Sequence, residues 1–247
     1  MTLTFNRVAR KNSITTAMYT LLADALEQAT ANSAVRVVLI QGDAAIFTAG
    51  NDIGDFIAAI EVPLEPPQLA PPLMRFLRVV AAFPKPLVAT VCGPAVGIGT
   101  TLLFHCDLVY AGDNATFSMP FVNLGVVPES ASSLLVPQML GYHRAAEALL
   151  LGEALVAETA REVGLVNRVV PSAEANAIGQ IQARKLAAKP SSALIETKRL
   201  LKLSQQSAVL QRLEVESASF GRMMRAPAAR EAFAAFMEKR KPDFSGL

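Results

Sequence analysis

Apolar residues recur at helical spacing between Thr15 and Ala31, where Met18, Leu21, Leu22, Ala25, Leu26 and Ala29 form one stripe and Asp24 and Glu27 fall outside it. That period predicts an amphipathic helix packed against a core. It breaks at Val35–Ile40, a short β-branched run bounded by Asn32-Ser33 and Gly42-Asp43, which predicts a strand buried on both faces. Leu87–Val91 and Leu108–Ala111 repeat the strand pattern, with helical stretches between the runs, Met74–Ala82 among them. Strands alternating with helices imply crossover connections and an α/β architecture.

Leu87 to Phe104 carries no charge across 18 positions, the lower length limit for a membrane span. Gly93, Pro94, Gly97 and Gly99 interrupt it, so the run predicts a buried strand, a glycine-rich turn and a buried helix, and no membrane partner. Residues 61–72 hold five of the 15 prolines without a periodic pattern and predict a surface loop of the kind that can act as a lid. Beyond Pro171 the pattern turns helical over 173–188, 191–204, 208–220 and 228–239, and no strand is expected after Arg168–Val170. This tail carries Leu200, Leu201, Leu203, Leu210, Leu213, Phe220, Phe233 and Phe236, more apolar surface than an exposed tail leaves in water. It is expected to pack on the core or on a neighbouring subunit.

Composition narrows the function classes. A chain of 247 residues, 52% apolar and 18% charged, has material for a sizeable core and fits one large domain with an appendage. Its formal charge of +2 is far from the basic balance of phosphate-backbone binding, so nucleic acid is not an expected partner. Cys92 and Cys106 fall short of a disulfide framework, and with only His105 and His143 beside them no zinc-ligand spacing assembles, so no metal is expected. The opening MTLTFNRVARKNSI lacks a basic start followed by an apolar stretch; a reducing, cytoplasmic setting is expected.

Candidate chemistry concentrates where strands end. Phe47-Thr48-Ala49-Gly50-Asn51-Asp52-Ile53 follows the first strand, and its small-small-Gly turn either frees backbone N–H groups for a ligand or simply lets Asn51 or Asp52 cap the next helix. The second turn, Cys92 to Thr101, lacks the third glycine of a dinucleotide fingerprint, having Leu102 there, and lacks the Lys-Ser/Thr ending of a phosphate loop. Two such turns, each with free N–H groups at a strand's C-terminal end, are the parts of an oxyanion hole. Glu129 is the one acid between Asp113 and Glu147. Its apolar company raises a carboxyl pKa, whereas a helix beginning near Ser130 lowers it, a balance suited to a general base near neutral pH. The plain alternative is a first-turn or capping acid. His105 and His143 read as helix-end residues favoured by the dipole, the chain having no Gly-x-Ser-x-Gly elbow, and both cysteines read as core residues.

Taken together, Asn6-Arg7 with Lys11-Asn12, Val35-Arg36-Val37-Val38, Phe47 to Ile53, Lys85-Pro86-Leu87-Val88-Ala89, Gly93-Pro94-Ala95-Val96-Gly97-Ile98-Gly99, Cys106 to Ala111, Leu124-Gly125-Val126-Val127-Pro128, Gly164-Leu165-Val166-Asn167 and Glu238 to Pro242 resemble, in order and spacing, the enoyl-CoA hydratase/isomerase or crotonase superfamily. The resemblance implies a spiral of repeated strand-strand-helix units over residues 1–190, which would bind acyl-CoA and hold the catalytic site. It further implies a helical C-terminal region, 191–247, that completes a homotrimer or a dimer of trimers. The substrate would be an acyl-CoA thioester, with coenzyme A part of the substrate and no separate cofactor. By position, the backbone N–H groups of Asn51 and Ile98 would be the oxyanion donors. Main-chain atoms around Ala49, Asp52 and Ile53 would hold the adenine end of CoA, with Gly50, Gly97 and Phe121 also at the substrate. Arg7, Lys11, Lys239 and Lys241 would be candidates for its phosphates.

Hydratases of this superfamily carry two glutamates, one in the helix after the second glycine turn and one after the stretch matching Ser118-Met119-Pro120. This chain has Thr101 and Phe121 there, and neither titrates as water addition requires. Asn51-Asp52 and Val127-Pro128-Glu129 followed by Ser132-Ser133 are instead similar to the peroxisomal-type 3,2-enoyl-CoA isomerases, in which the position of Glu129 holds the single base. The resemblance therefore implies an isomerase moving a 3-enoyl-CoA double bond to trans-2-enoyl-CoA, with Thr101 contributing little. The alternatives are a 2-enoyl-CoA hydratase and, in another class, a non-catalytic acyl-CoA-binding protein.

Overall fold

The β-branched runs become parallel strands in a computed structural model that describes residues 1–61, 65 and 68–247. The strands are β1 (Thr2–Thr4), β2 (Val38–Gln41), β3 (Leu87–Val91), β4 (Pro94–Val96), β5 (Leu108–Gly112), β6 (Thr116–Ser118), β7 (Leu155–Val156) and β8 (Arg168–Val170). One sheet runs β1-β2-β3-β5-β8, every neighbouring pair parallel, with Ala89 of β3 opposite Ile40 of β2 and Val109 of β5. All five residues of β3 are buried, as a central parallel strand covered on both faces requires. The second sheet is β4-β6-β7, and a bridge from Thr48 to Ala95 adds the segment after β2 to its edge. The turns that begin with β2, β3 and β5 thus each contribute one strand, or a bridging residue, to each sheet before entering a helix. This is the strand-strand-helix spiral implied by the resemblance.

The helices are α1 (Thr16–Ala31), α2 (Ile53–Glu61), α3 (Pro71–Ala82), α4 (Ile98–Thr101), α5 (Ser132–Leu140), α6 (Tyr142–Ala146), α7 (Ala157–Glu162), α8 (Ser172–Ala187), α9 (Ser191–Lys202), α10 (Gln206–Met224) and α11 (Pro227–Met237). Among the described residues no strand follows Val170 and no helix is long and apolar enough to cross a membrane. The uncharged run 87–104 divides into β3, the glycine turn with β4, α4 and a 3-10 turn over Leu102–His105. Of the expected lid at 61–72, residues 62–64, 66 and 67 lie outside the described residues, while Pro71 and Pro72 open α3 at the positions where proline costs no hydrogen bond.

Two expectations need correction. The strand expected over Val35–Ile40 is β2 and begins at Val38, because the Val35 carbonyl accepts from Lys85 Nζ at 2.8 Å instead of pairing in the sheet. The buried face of α1 runs through Tyr19, Ala23, Leu26 and Ala29, and Leu21 is exposed. Small Ala23 and Ala29 let α1 approach α3, where Tyr19 meets Phe76 with ring centroids 5.6 Å apart. The helical tail packs partly on the core, one of the two outcomes expected of it: Leu213, Phe220 and Phe233 join the same core as the strands. Leu200, Leu201 and Leu203 remain exposed.

Because Ala23 is fully buried, one turn along α1 from Tyr19, Ala23→Leu is expected to overpack the core and destabilise the fold by about 1–3 kcal/mol. The check is a lowered urea midpoint with unchanged slope.

Candidate active site

The bridge between Thr48 and Ala95 brings the two glycine turns side by side, with Thr48 N–H donating to Pro94 O at 3.1 Å and Val96 N–H to Thr48 O at 3.0 Å. Gly50 has φ +87°, and a Cβ there would lie 2.8 Å from the Val96 carbonyl oxygen, so any side chain would force the turns apart. The N–H groups around it are committed: Ala49 to Lys11 O at 2.9 Å, Gly50 to Thr48 Oγ1 at 3.1 Å, Asp52 to Ile14 O at 2.9 Å. No acceptor among the described residues takes the N–H of Asn51. In the second turn Gly97, with φ 55° and ψ −118°, starts α4. It leaves Ile98 at the first helical position, where an N–H has no intrahelical acceptor. The Ile98 N–H likewise has none among the described residues.

Ala49, Gly50, Asn51, Ile53, Gly97 and Phe121 line one cleft of about 470 Å³ together with Phe56, Phe220 and Phe233. Five of the six expected substrate-binding residues therefore meet there. Asp52 lines an adjoining hollow with Tyr19. Its side chain accepts from Arg7 at 2.6 Å, from Ser13 Oγ at 3.1 Å and from the Gly54 N–H at 3.1 Å. The plain capping alternative thus describes Asp52, and the Arg7 guanidinium holds its carboxyl below the usual range. Arg7 itself is committed to Asp52 and Ser13, whereas Lys11, Lys239 and Lys241 are exposed. The Asn51 side chain accepts from the hydroxyl of buried Tyr19, a residue whose pKa is raised by burial and by the charge of Glu129.

Glu129 is fully buried. Its Oε1 accepts from Thr101 Oγ1 at 2.7 Å, and its Oε2 has no partner among the described residues. Burial pushes the carboxyl up to about 8, the Thr101 hydrogen bond opposing and the charge of Glu216 adding to the rise. The expectation that Thr101 contributes little is therefore corrected: a buried carboxylate depends on the few donors it has. α4 is one helical turn whose first residue carries the free Ile98 N–H and whose last holds Glu129, positions separated by roughly 4.5 Å along its axis.

Nor does Glu129 cap a helix. After it come Ser130 and Ala131, both left-handed at φ 66° and 56°, a conformation costing non-glycine residues on the order of 1 kcal/mol each. α5 starts only at Ser132, and its cap is supplied from α10: Glu216 Oε2 accepts the Ala131 N–H at 2.6 Å and Oε1 the Ser133 N–H at 2.8 Å. His105 Nε2 meets the Ser130 carbonyl at 2.9 Å. Burial drives that imidazole down to about 4, so it is a neutral donor to this loop instead of a charged helix end. Burial raises Cys92 and pushes Cys106 up to about 12, so both thiols are unreactive, Cys92 within the core and Cys106 half-buried at its edge.

Tyr19, His105 and Glu216 escape a linear reading as site residues. Glu216 did leave a signal, since Val209, Leu213, Glu216 and Phe220 form one helical stripe in which an acid is out of place.

Residues 1–246 match the family model described as enoyl-CoA hydratase/isomerase. The chain is similar to the 2,3-dehydroadipyl-CoA hydratase of Escherichia coli (strain K12), at 34% identity over 244 residues covering 99% of this chain and 94% of that protein. It is 43% identical over 170 residues to enoyl-CoA delta isomerase 2 of Rattus norvegicus, which covers 68% of this chain but 43% of that longer protein. Among solved structures, an enoyl-CoA hydratase/isomerase from Pseudoalteromonas atlantica T6c superposes with a TM-score of 0.91 at 36% identity, covering 99% of this chain and 95% of that one. Both hydratases and isomerases are thus among its relatives.

The elevated Glu129 pKa has a consequence for stability. Its folded value of about 8 exceeds the ordinary 4.5, so the native state binds the extra proton and loses stability as pH rises through that window, by up to on the order of 5 kcal/mol. Glu129→Gln removes this loss. Its melting temperature is expected to exceed wild type at pH 9 and to match it within a few degrees near pH 4.5. Equal shifts at both pH values would contradict the burial of an ionisable carboxyl.

Proposed function

The chain belongs to the enoyl-CoA hydratase/isomerase family, and on that premise we propose that it isomerises a 3-enoyl-CoA to the trans-2-enoyl-CoA with Glu129 as the base. The observation that carries the reading is the fully buried Glu129 carboxyl, raised to about 8 and with one oxygen unpartnered among the described residues, while Thr101 and Phe121 stand where the resemblance puts the glutamates of a hydratase. Glu129 removes a proton from C2, and the thioester oxygen gains charge against the N–H groups of Asn51 and Ile98. The same carboxyl, now protonated, returns the proton at C4. No water is consumed, so one acid-base group suffices. An oxyanion donor in acyl chemistry is worth about 3–4 kcal/mol, which makes the two free N–H groups as necessary as the base.

The apolar cleft lined by Ile53, Phe56, Phe121, Phe220 and Phe233 suits the acyl chain and excludes water from the enolate. A 2-enoyl-CoA hydratase is the second reading, favoured by the near full-length likeness to a hydratase; it would need Glu129 to hold water unaided. A non-catalytic acyl-CoA binder is disfavoured, because it gains nothing from an ionisable carboxyl buried at a cost in stability. A cytoplasmic setting fits the two unpaired thiols.

Glu129→Gln keeps the side chain's size but cannot take the C2 proton. Turnover of a 3-enoyl-CoA is expected to fall about 10² to 10⁴-fold, with acyl-CoA affinity retained. Parallel spectrophotometric assays with 3-enoyl-CoA and 2-enoyl-CoA check the ranking: dominant hydration by wild type overturns it, and silence with both leaves the binder.

We also infer that residues 191–247 serve assembly into a trimer or a dimer of trimers, since Leu200, Leu201 and Leu203 stay more than half exposed in one chain. Light scattering is expected to give three or six chains per particle, and a stable monomer at micromolar concentration would contradict it.

A further inference from the structure

We propose that Glu216, on α10, is a positioning residue for the reaction: its carboxylate holds the left-handed Ser130-Ala131 turn that aims the side chain of Glu129. The inference rests on Glu129 being the base.

The geometry is specific. Glu216 is 5% exposed, in a helix stripe otherwise occupied by Val209, Leu213 and Phe220. Each carboxylate oxygen takes one backbone N–H from the segment directly after Glu129, Ala131 at 2.6 Å and Ser133 at 2.8 Å. Ala131, at the cap position of α5, has no side-chain oxygen of its own to satisfy these donors. The two non-glycine residues before α5 lie in the left-handed region, a conformation that persists only where surrounding contacts hold it. Three other contacts hold it, His105 to the Ser130 carbonyl, Ser132 Oγ to the Glu129 carbonyl and Arg212 to Ser133 Oγ at 3.0 Å. Glu216 alone among these supplies negative charge, at the positive end of a nine-residue helix.

That charge has a second effect. It sits close enough to raise the pKa of Glu129, and it offsets the helix end that would otherwise stabilise the ionised form. The other ionisable groups around it are accounted for. Arg212 lies on the same helix and lowers the Glu216 pKa, itself pushed up to about 7 by burial. The charge of Glu129 reaches Tyr19 of α1, and His105 is neutral, its pKa lowered by burial and further by Lys198 and Lys202 of α9. Arg78 of α3 is paired with Glu214, and Glu231 of α11 with Arg240.

Three variants, Glu216→Gln, Glu216→Asp and Thr101→Ala, test the proposal by kcat, KM and the pH profile of kcat/KM with a 3-enoyl-CoA. Wild-type kcat/KM is expected to rise with pH through about 8 as Glu129 ionises. In Glu216→Gln, kcat should fall about 10-fold or more with KM nearly unchanged, and the acid limb should move to lower pH. Thr101→Ala should move it to higher pH, having lost the bond that favours the charged form. Glu216→Asp keeps the charge but shortens the reach, so the limb should stay while kcat drops. It carries the test if the Gln variant does not fold. A Glu216→Gln limb at the wild-type pH, or wild-type kcat in Glu216→Asp, overturns the proposal. If wild type turns over no enoyl-CoA, the functional reading fails by itself. The positioning claim is then decided by the pH at which Glu129→Gln stabilises the fold, which should be lower in a Glu216→Gln background and, if unchanged there, refutes it.

Discussion

A carboxyl with no access to solvent and one hydrogen bond is a costly group to enclose, and the arrangement around Glu129 follows from that cost. Thr101 supplies the bond at 2.7 Å, burial keeps the proton on well above the ordinary pH, and the second oxygen has no partner among the described residues. A hydrophobic side chain would stabilise the fold better. The group makes sense where a proton must be taken from carbon and given back, since a base with a pKa near ambient pH performs both steps.

Backbone geometry keeps Glu129 from the easier role of a helix cap. Two left-handed residues separate it from α5, and Glu216 takes the N–H groups that a capping acid would have used. The opposite arrangement prevails at the first glycine turn. There Asp52 does cap its helix, Arg7 neutralises it, and the residue before it keeps a free N–H. The parallel sheet sets the frame for both. β2 and β3 end side by side, the Thr48–Ala95 bridge joins the segments that follow them, and the free N–H groups of Asn51 and Ile98 emerge from adjacent turns.

Much of this frame was legible in the sequence because it is encoded locally. Short β-branched runs between turn residues gave β3 and β5 to within a residue, and helical periods gave α3 and α8 through α11 with small errors at their ends. β1, β4, β6 and β7 were missed because they are two or three residues each and lack a β-branched apolar pair such as Val169-Val170 of β8. Their pairing depends on the spiral bringing distant segments together. The site divides the same way. Asn51, Ile98 and Glu129 were visible through neighbours in sequence, a small-residue turn or an isolated acid. Tyr19, His105 and Glu216 act across 32, 25 and 85 positions, and a linear reading gives such contacts no address. The misplaced stripe on α1 has the same origin: Ala23 against α3 defines the buried face, and alanine carries little weight in a hydrophobic pattern.

The central claim is that Glu129 titrates near neutral pH because it is buried and sparsely bonded. Difference infrared spectroscopy of the carboxyl stretch, wild type minus Glu129→Gln across a pH series, reads that titration directly and without substrate. A band lost with a midpoint near 8 is the result expected. A midpoint close to the ordinary 4.5 would mean that the carboxylate is solvated or paired in solution, and the account of the site would fail with it.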